Sequence, residues 1–124
     1  MNIPSNGHPK IAVVVADVSG KGVPGAVMMA VTRSILRAQS LRIREPAEIL
    51  KATNAILMPD IKKGMFVSMF YGLLDTGAGI MEFSNAGHNP TLVYRSQTQS
   101  IESIRCRGLA LGLKEASFFE LTAL

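Results

Sequence analysis

The spacing of hydrophobic positions changes twice along this chain of 124 residues. A largely apolar, β-branched run at residues 10–16 predicts a strand that is buried on both faces. Apolar and small residues then recur at helical spacing, which predicts one helix from Pro24 to about Ser40 and a second from Pro46 to about Met58. From Met65 onward, the pattern changes to that of strands.

Each predicted helix has a face that we expect to be buried. In the first helix, small residues recur every fourth position and are interpreted as core packing; they are Ala26, Ala30, Ser34 and Ala38. A neighbouring apolar face is supplied by Val27, Val31 and Ile35. In the second helix, the predicted buried face consists of Ile49, Leu50, Thr53, Ile56 and Leu57.

The second half of the chain predicts a series of antiparallel strands separated by turn residues. A central strand comes first, and the predicted strands are Met65–Leu74, Ile80–Ser84, Thr91–Arg95, Ile101–Ile104 and Ser117–Leu121. One strand, two helices and then a run of strands indicate an α+β fold with helices on one face of a sheet. We expect residues 1–9 to be a flexible lead-in and residues 10–124 to form one domain.

The composition narrows the classes of function. The net charge is +4, and four arginines lie close together in sequence, namely Arg33, Arg37, Arg42 and Arg44. The favoured interpretation is that they complement the C-terminal dipole of the helix, and the alternative is a docking face for an acidic or phosphorylated partner. Five phenylalanines, two tyrosines and no tryptophan, without basic and aromatic interleaving, argue against nucleic-acid binding.

Compartment and membrane association follow from the same composition. A single cysteine, Cys106, excludes an internal disulfide and is consistent with the cytoplasm. No apolar run approaches the roughly 20 residues that a membrane-spanning helix needs, so we expect no membrane partner.

Asp17 is the first candidate for chemistry, because it follows the buried strand and precedes a glycine loop. Its carboxylate and the neighbouring carbonyl groups suit Mg²⁺ or Mn²⁺, whereas the alternative is a helix cap or a turn residue. The other aspartates, Asp60 and Asp75, are not obviously placed beside it. These residues alone therefore do not predict a complete catalytic site.

The loop from Gly20 to Gly25 also matches the pattern G-x-G-x-x-G of dinucleotide-binding proteins. That fold requires a second parallel strand after the helix, ending in an acidic residue, and here a second helix follows instead. A P-loop is excluded because Gly22 follows Lys21 where serine or threonine is required.

His88 lies in the turn Asn85–Pro90 and has two interpretations. It is either a general acid or base, or a turn residue whose ring binds nearby backbone, and the second interpretation is favoured.

Four stretches in this order resemble the SpoIIE/RsbU-type serine phosphatases, the bacterial branch of the metal-dependent PPM (type 2C) protein phosphatases. They are ADVSGKGVP at residues 16–24, MFVSMFYGLLD at 65–75, SNAGHNP at 84–90 and GLALG at 108–112. The resemblance covers residues 10–122.

The resemblance implies two stacked antiparallel sheets flanked by helices, forming an antiparallel β-sandwich. It also implies Mn²⁺ or Mg²⁺ as cofactor and hydrolysis of phosphoserine or phosphothreonine on a regulatory protein such as an anti-sigma-factor antagonist, in stress response or sporulation. Asp17 matches a catalytic aspartate that bridges two metal ions, and Val18 matches a residue whose backbone carbonyl binds one of them. Gly20, Gly22 and Gly25 shape the loop that presents them.

The chain also departs from the family pattern. The family has an acidic motif before the position of Ile11, where residues 1–9 contain no acid, and further aspartates after the last of these stretches. We therefore expect a domain that is incomplete at both ends, does not bind metal with useful affinity alone and is inactive alone. The alternative is a non-catalytic interaction module that forms homodimers through unpaired sheet edges.

Overall fold

A computed structural model of the chain describes residues 1–3, 7–115 and 118–124. In these ranges it contains two helices and seven strands. In chain order they are β1 (Asn2–Ile3), β2 (Lys10–Val18), α1 (Gly22–Ser40), α2 (Pro46–Leu57), β3 (Val67–Asp75), β4 (Ile80–Ala86), β5 (Thr91–Arg95), β6 (Ser100–Ile104) and β7 (Thr122–Ala123).

The strands form two antiparallel sheets. The larger sheet has the order β1-β2-β3-β4-β7, and β5 pairs with β6 in a separate hairpin. The predicted central strand is β3, which pairs along its whole length with β2 and, from Met69 to Asp75, with all of β4. The α+β class and the antiparallel pairing of the strands predicted from the sequence are therefore confirmed.

Both helices lie on the same face of the large sheet and form the core with it. Alternate residues of β3 point toward the helices, and Val67, Met69 and Tyr71 are essentially inaccessible to solvent. Ile49 and Leu50 of α2 are fully buried in the same cluster. The helix α2 begins at Pro46 as predicted, because a proline in the first turn gives up no helical hydrogen bond.

For α1, the prediction that the small-residue stripe packs in the core is wrong, whereas Val31 and Ile35 of the neighbouring apolar face do pack against the core. Ala26, Ala30 and the other small residues of the predicted stripe are exposed. Four of the buried residues, Met28, Thr32, Leu36 and Ser40, lie two positions further along, about 200° around the helix. Gly25 in the first turn is buried as well. Methionine and leucine bury more apolar surface than alanine does, which favours this orientation. In α2, Ile56 is likewise exposed and Asn54 is buried instead.

The prediction that the first strand is buried on both faces is also wrong. Val15 is 52% exposed, and Val13 and Val14 are more than a third exposed. The helices cover one face of the sheet only, so Val13 and Val15 on the opposite face remain accessible, whereas Val14 lies on the helix side and lines an open cavity there. Among the described residues, the open face of β2 carries Val13, Val15 and Asp17 in alternation.

Two features near the chain ends bear on the predicted elements. Within the predicted lead-in, Asn2 and Ile3 pair with β2, because an edge strand has free backbone groups that a short segment can bond. The flexibility of residues 1–9 stays a prediction. The last strand was predicted at Ser117–Leu121, but it lies at Thr122–Ala123. It pairs there with Glu82 and Phe83 of β4. Part of that predicted strand, residue 117, lies outside the described residues.

Candidate functional site

Asp17 lies one residue before the end of β2, directly opposite Ser68 of β3. Its side chain is exposed, and its position in the alternation places it on the face that the helices do not cover. Beyond it the chain is fixed by Ser19, whose backbone N–H donates to the carbonyl of Phe66 (3.0 Å) and whose Oγ accepts from the N–H of Phe66 (2.9 Å). The position of the Asp17 carboxylate at the C-terminal end of β2 is therefore well defined.

The glycine loop, residues 20–25, places the first turn of α1 next to the C-terminal end of β2. A Cβ atom added to Gly25 would lie 2.6 Å from the carbonyl oxygen of Gly20, so the two backbones approach closely. Gly22 has a φ of +61°, in the left-handed region that favours glycine. The structure therefore explains why these positions are glycines, while the binding role implied for the loop stays a prediction.

His88 lies near the same strand end. Its Nδ1 is 2.9 Å from Oγ of Ser68, and that hydroxyl is 3.5 Å from the backbone carbonyl oxygen of Asp17. Ser68 thus bridges the imidazole and the strand end that carries the carboxylate. The expectation that the ring binds nearby backbone is wrong, because its partner is a side-chain hydroxyl on another strand.

The turn that holds His88 is organised by Asn85. The side-chain oxygen of Asn85 accepts from the N–H of His88 at 2.6 Å, and its amide group donates to the carbonyl of Asn89 at 3.2 Å. Asn85 is 3% exposed, so these bonds are shielded from water. The resulting turn fixes the direction of the imidazole.

An open cavity adjoins this imidazole. It has a volume of about 210 Å³ and is lined by Phe70, His88, Asn89, Pro90 and Thr91. A small ligand on the open face could therefore reach the ring. The alternative of His88 as a general acid or base stays a prediction.

Sequence reasoning missed Ser68. The available signal was a single hydroxyl in the otherwise apolar stretch Met65–Phe70. Only the strand register, which pairs this serine with Asp17, shows that the hydroxyl belongs to the site.

The other aspartates do not join Asp17. Asp75 pairs with Lys10 at the opposite end of the β2–β3 ladder, seven residues or about 24 Å along the strand from Asp17. Its Oδ1 accepts hydrogen bonds from the N–H groups of Gly77 and Ala78, so Asp75 stabilises the turn that follows β3. Asp60 follows the end of α2.

These positions decide whether the described residues fit a pair of metal ions. No group of three or more histidine, cysteine, aspartate or glutamate side chains converges within residues 1–3, 7–115 and 118–124. Asp17 and the carbonyl of Val18 would supply only part of the oxygen ligands that two hard cations require. The described residues therefore do not fit a two-metal centre by themselves.

Within the described part of the chain, neither helix combines the length and the apolar character needed to cross a bilayer.

Comparisons with known proteins identify the family. The family model for Stage II sporulation protein E (SpoIIE) matches residues 7–124. The phosphoserine phosphatase RsbU of Bacillus subtilis is 27% identical over 105 residues, which cover 85% of this chain and 31% of that protein.

Solved structures agree with this assignment. The RsbU and RsbW domains of Rv1364c from Mycobacterium tuberculosis align with a TM-score of 0.79 at 26% identity, over 93% of this chain and 32% of that one. The PP2C phosphatase domain of SpoIIE from Bacillus subtilis, solved with a fragment of its regulatory domain, shares the fold with a TM-score of 0.77 at 16% identity, over 93% of this chain and 34% of that one. The chain spans about a third of each of these relatives. Because the family model covers nearly all of its residues, the chain belongs to the family of Stage II sporulation protein E (SpoIIE).

Proposed function

We propose that this chain forms part of a metal-dependent phosphatase that hydrolyses phosphoserine or phosphothreonine on a regulatory protein of the anti-sigma-factor-antagonist type. The observation that carries this proposal is the exposed carboxylate of Asp17 near the C-terminal end of β2, within the residues that the family model matches. The relative RsbU is a phosphoserine phosphatase, which supports this class of substrate. A phosphoprotein of this kind and the single cysteine favour the cytoplasm.

The proposed role of Asp17 is to bind Mn²⁺ or Mg²⁺ in the complete site, together with the backbone carbonyl of Val18. Phosphatases of the PP2C type are metal-dependent, and bound cations supply charge neutralisation and an activated water. Since the described residues lack the remaining carboxylates, we propose that the 124 residues alone have no phosphatase activity.

Hydrolysis of p-nitrophenyl phosphate in the presence of Mn²⁺ tests this proposal. We expect no turnover above that of an Asp17→Asn control prepared in the same way. Clear turnover that the Asp17→Asn substitution abolishes would show that the chain is active alone and would confirm the role of Asp17.

A second candidate function is a non-catalytic module that forms homodimers, and the β5–β6 hairpin favours it. Leu92 and Tyr94 of β5 are 67% and 63% exposed. The edge of β5 that faces away from β6 has no strand partner among the described residues. Two-fold antiparallel pairing of β5 about Val93 would set Leu92 opposite Tyr94 of a second copy, which buries apolar surface symmetrically.

Light scattering across a range of protein concentrations tests the dimer. We expect a concentration-dependent increase in mass that Leu92→Lys suppresses. A strict monomer at high concentration would exclude this candidate function.

A further inference from the structure

His88 is held from two sides, by its own turn and by a neighbouring strand. Its backbone N–H donates to Oδ1 of Asn85 (2.6 Å), and Nδ1 of its ring lies 2.9 Å from Oγ of Ser68. Asn85 is buried, and Ser68 belongs to β3, which has a strand on each side in the large sheet. The position of the imidazole is therefore set by groups of the central sheet.

The second partner of the Ser68 hydroxyl assigns the proton in the bond to the ring. Oγ of Ser68 is also 3.5 Å from the backbone carbonyl oxygen of Asp17, which can only accept a hydrogen bond. A hydroxyl has one proton, so donation to this carbonyl leaves Oγ to accept from Nδ1–H of His88. The pattern therefore assigns Nδ1 as the donor to Ser68 and leaves Nε2 as the ring nitrogen that is available to a ligand.

This arrangement suits an anionic ligand. Ser68 accepts from Nδ1–H whether the ring is neutral or protonated, so no existing bond is broken when Nε2 also carries a proton. A protonated imidazole that donates from Nε2 to an anion forms a charge-assisted hydrogen bond, which is stronger than a neutral one. Within the described residues, the bond to Ser68 is the one hydrogen bond that the ring forms.

The cavity beside the ring favours an organic phosphate over a free anion. Its volume is about 210 Å³, and Phe70, Pro90 and Thr91 line it together with the imidazole. Phe70 lies two residues after Ser68 in β3, so both side chains are on the same face of the sheet. An organic phosphate can contact the apolar walls and the ring at once, whereas inorganic phosphate uses only the ring.

The carboxylate of Asp17 opposes an anion at this position. Asp17 lies directly opposite Ser68, and the Cβ atoms of such a pair are about 5 Å apart. Like charges at this range repel, so phosphate binding to the metal-free chain should be weak. The same proximity gives a specific expectation, because removing the charge of Asp17 should strengthen the binding of a phosphate group.

We propose that His88, oriented by Ser68, binds the phosphate group of the phosphoserine or phosphothreonine substrate through Nε2. Ser68 is a positioning residue, because it acts through the imidazole. This inference rests on the proposed function, from which it takes the class of substrate, but its test requires neither a metal ion nor turnover.

NMR of the imidazole nitrogens in the isotopically labelled, intact chain measures this binding without metal. The probes are N-acetyl-phosphoserine amide, N-acetyl-serine amide and inorganic phosphate. We expect neutral His88 to carry its proton on Nδ1 in the free chain, and the phosphorylated probe to change the Nε2 signal at millimolar concentration. The serine probe should leave this signal unchanged, and inorganic phosphate should bind more weakly than the phosphorylated probe.

Variants separate the contributions of the residues. Ser68→Ala should weaken binding of the phosphorylated probe about threefold, whereas Ser68→Thr keeps a hydroxyl and should bind as the unmodified chain does. Asp17→Asn should strengthen binding about threefold. The control His8→Gln removes the other histidine, which lies beside Gly77 in the turn after β3, and should change the affinity less than about twofold.

The unmodified chain alone can overturn the proposal, even if a variant does not fold. A proton on Nε2 of the neutral ring would exclude the role of Ser68. An equal response to the serine and phosphoserine probes, no response, or tighter binding of inorganic phosphate would exclude a site for phosphorylated residues. A failure of the phosphatase proposal would appear instead in the Mn²⁺ measurements on Asp17, which are independent of these titrations.

Discussion

Ser68 and His88 are hydrogen-bonded at 2.9 Å between Oγ and Nδ1, although they are 20 residues apart in sequence. The bond joins the central strand β3 to the turn after β4. Because Ser68 also lies opposite Asp17, the two residues connect this turn to the strand end that presents the candidate metal ligand.

Removing this hydroxyl should destabilise the chain. We expect Ser68→Ala to lower the free energy of unfolding by about 1 kcal/mol, the usual net value of one such hydrogen bond. Urea denaturation measures the difference. The matched variant Ser68→Thr keeps a hydroxyl and suits a strand, so it should retain most of the stability. Equal losses in the two variants would show that the bond itself contributes nothing.

The close approach of the Gly20 and Gly25 backbones predicts a steric effect. Gly25→Ala should lower the free energy of unfolding by about 2–3 kcal/mol, since the new methyl group meets the carbonyl oxygen of Gly20. In Gly22→Ala, the added Cβ has no atom within 4 Å, and only the positive φ of this position is unfavourable. This substitution should lower the free energy of unfolding by about 1 kcal/mol. Thermal unfolding of both variants tests this order, and a larger loss for Gly22→Ala would contradict the packing described for the loop.

Asn54 anchors α2 to the loop that contains Gly112 and Lys114. It is 2% exposed, its Oδ1 accepts from the N–H of Gly112 (2.8 Å), and its Nδ2 donates to the carbonyl of Lys114 (2.9 Å). Asn54→Ala should lower the free energy of unfolding by about 2–3 kcal/mol, because two buried bonds are lost. The exposed neighbour Lys51 provides the control, and a Lys51→Ala variant as unstable as Asn54→Ala would refute the anchoring role.

Asp75 predicts a dependence of stability on pH. The backbone N–H of Ala78, helped by that of Gly77 and by Lys10, holds the pKa of this carboxyl below its ordinary value of 3.8, against a smaller opposing effect of desolvation. Since the pKa is lower in the folded state, the carboxylate stabilises the fold above pH 3.8, and this contribution is lost as the pH falls through the folded-state pKa.

The variant Asp75→Asn isolates this contribution. At pH 6 the unmodified chain should be more stable than Asp75→Asn, and the difference should shrink steadily below pH 3.8. Urea denaturation at a series of pH values measures it. A difference that stays constant down to pH 2 would contradict the assigned cause.

Much of the fold was accessible from sequence because local signals and packing agree. Pro46 marks the start of α2, and the bounds Thr91–Arg95 of β5 follow from turn residues on both sides. The orientation of α1 was not accessible in this way. Its small-residue stripe and its larger apolar residues are both at helical spacing, and only packing against the sheet decides which face is buried.

In the candidate site, too, some residues could be identified from the local sequence and others could not. Asp17 and the glycines belong to one local motif, so they could be identified from sequence. Ser68 and its bond to His88 depend on the register of β2, β3 and β4, which pairs residues that are distant in sequence. The register between strands that are distant in sequence has little signal in the local sequence.

The central claim is that Asp17 is a metal ligand in a site that this chain completes only in part. Titration of isotopically labelled protein with Mn²⁺, followed by paramagnetic broadening of backbone NMR signals, tests both parts at once. We predict weak binding, at millimolar Mn²⁺, that first broadens the signals of Asp17, Val18 and their neighbours and disappears in Asp17→Asn. Saturation at stoichiometric Mn²⁺, or broadening centred away from Asp17, would contradict the account.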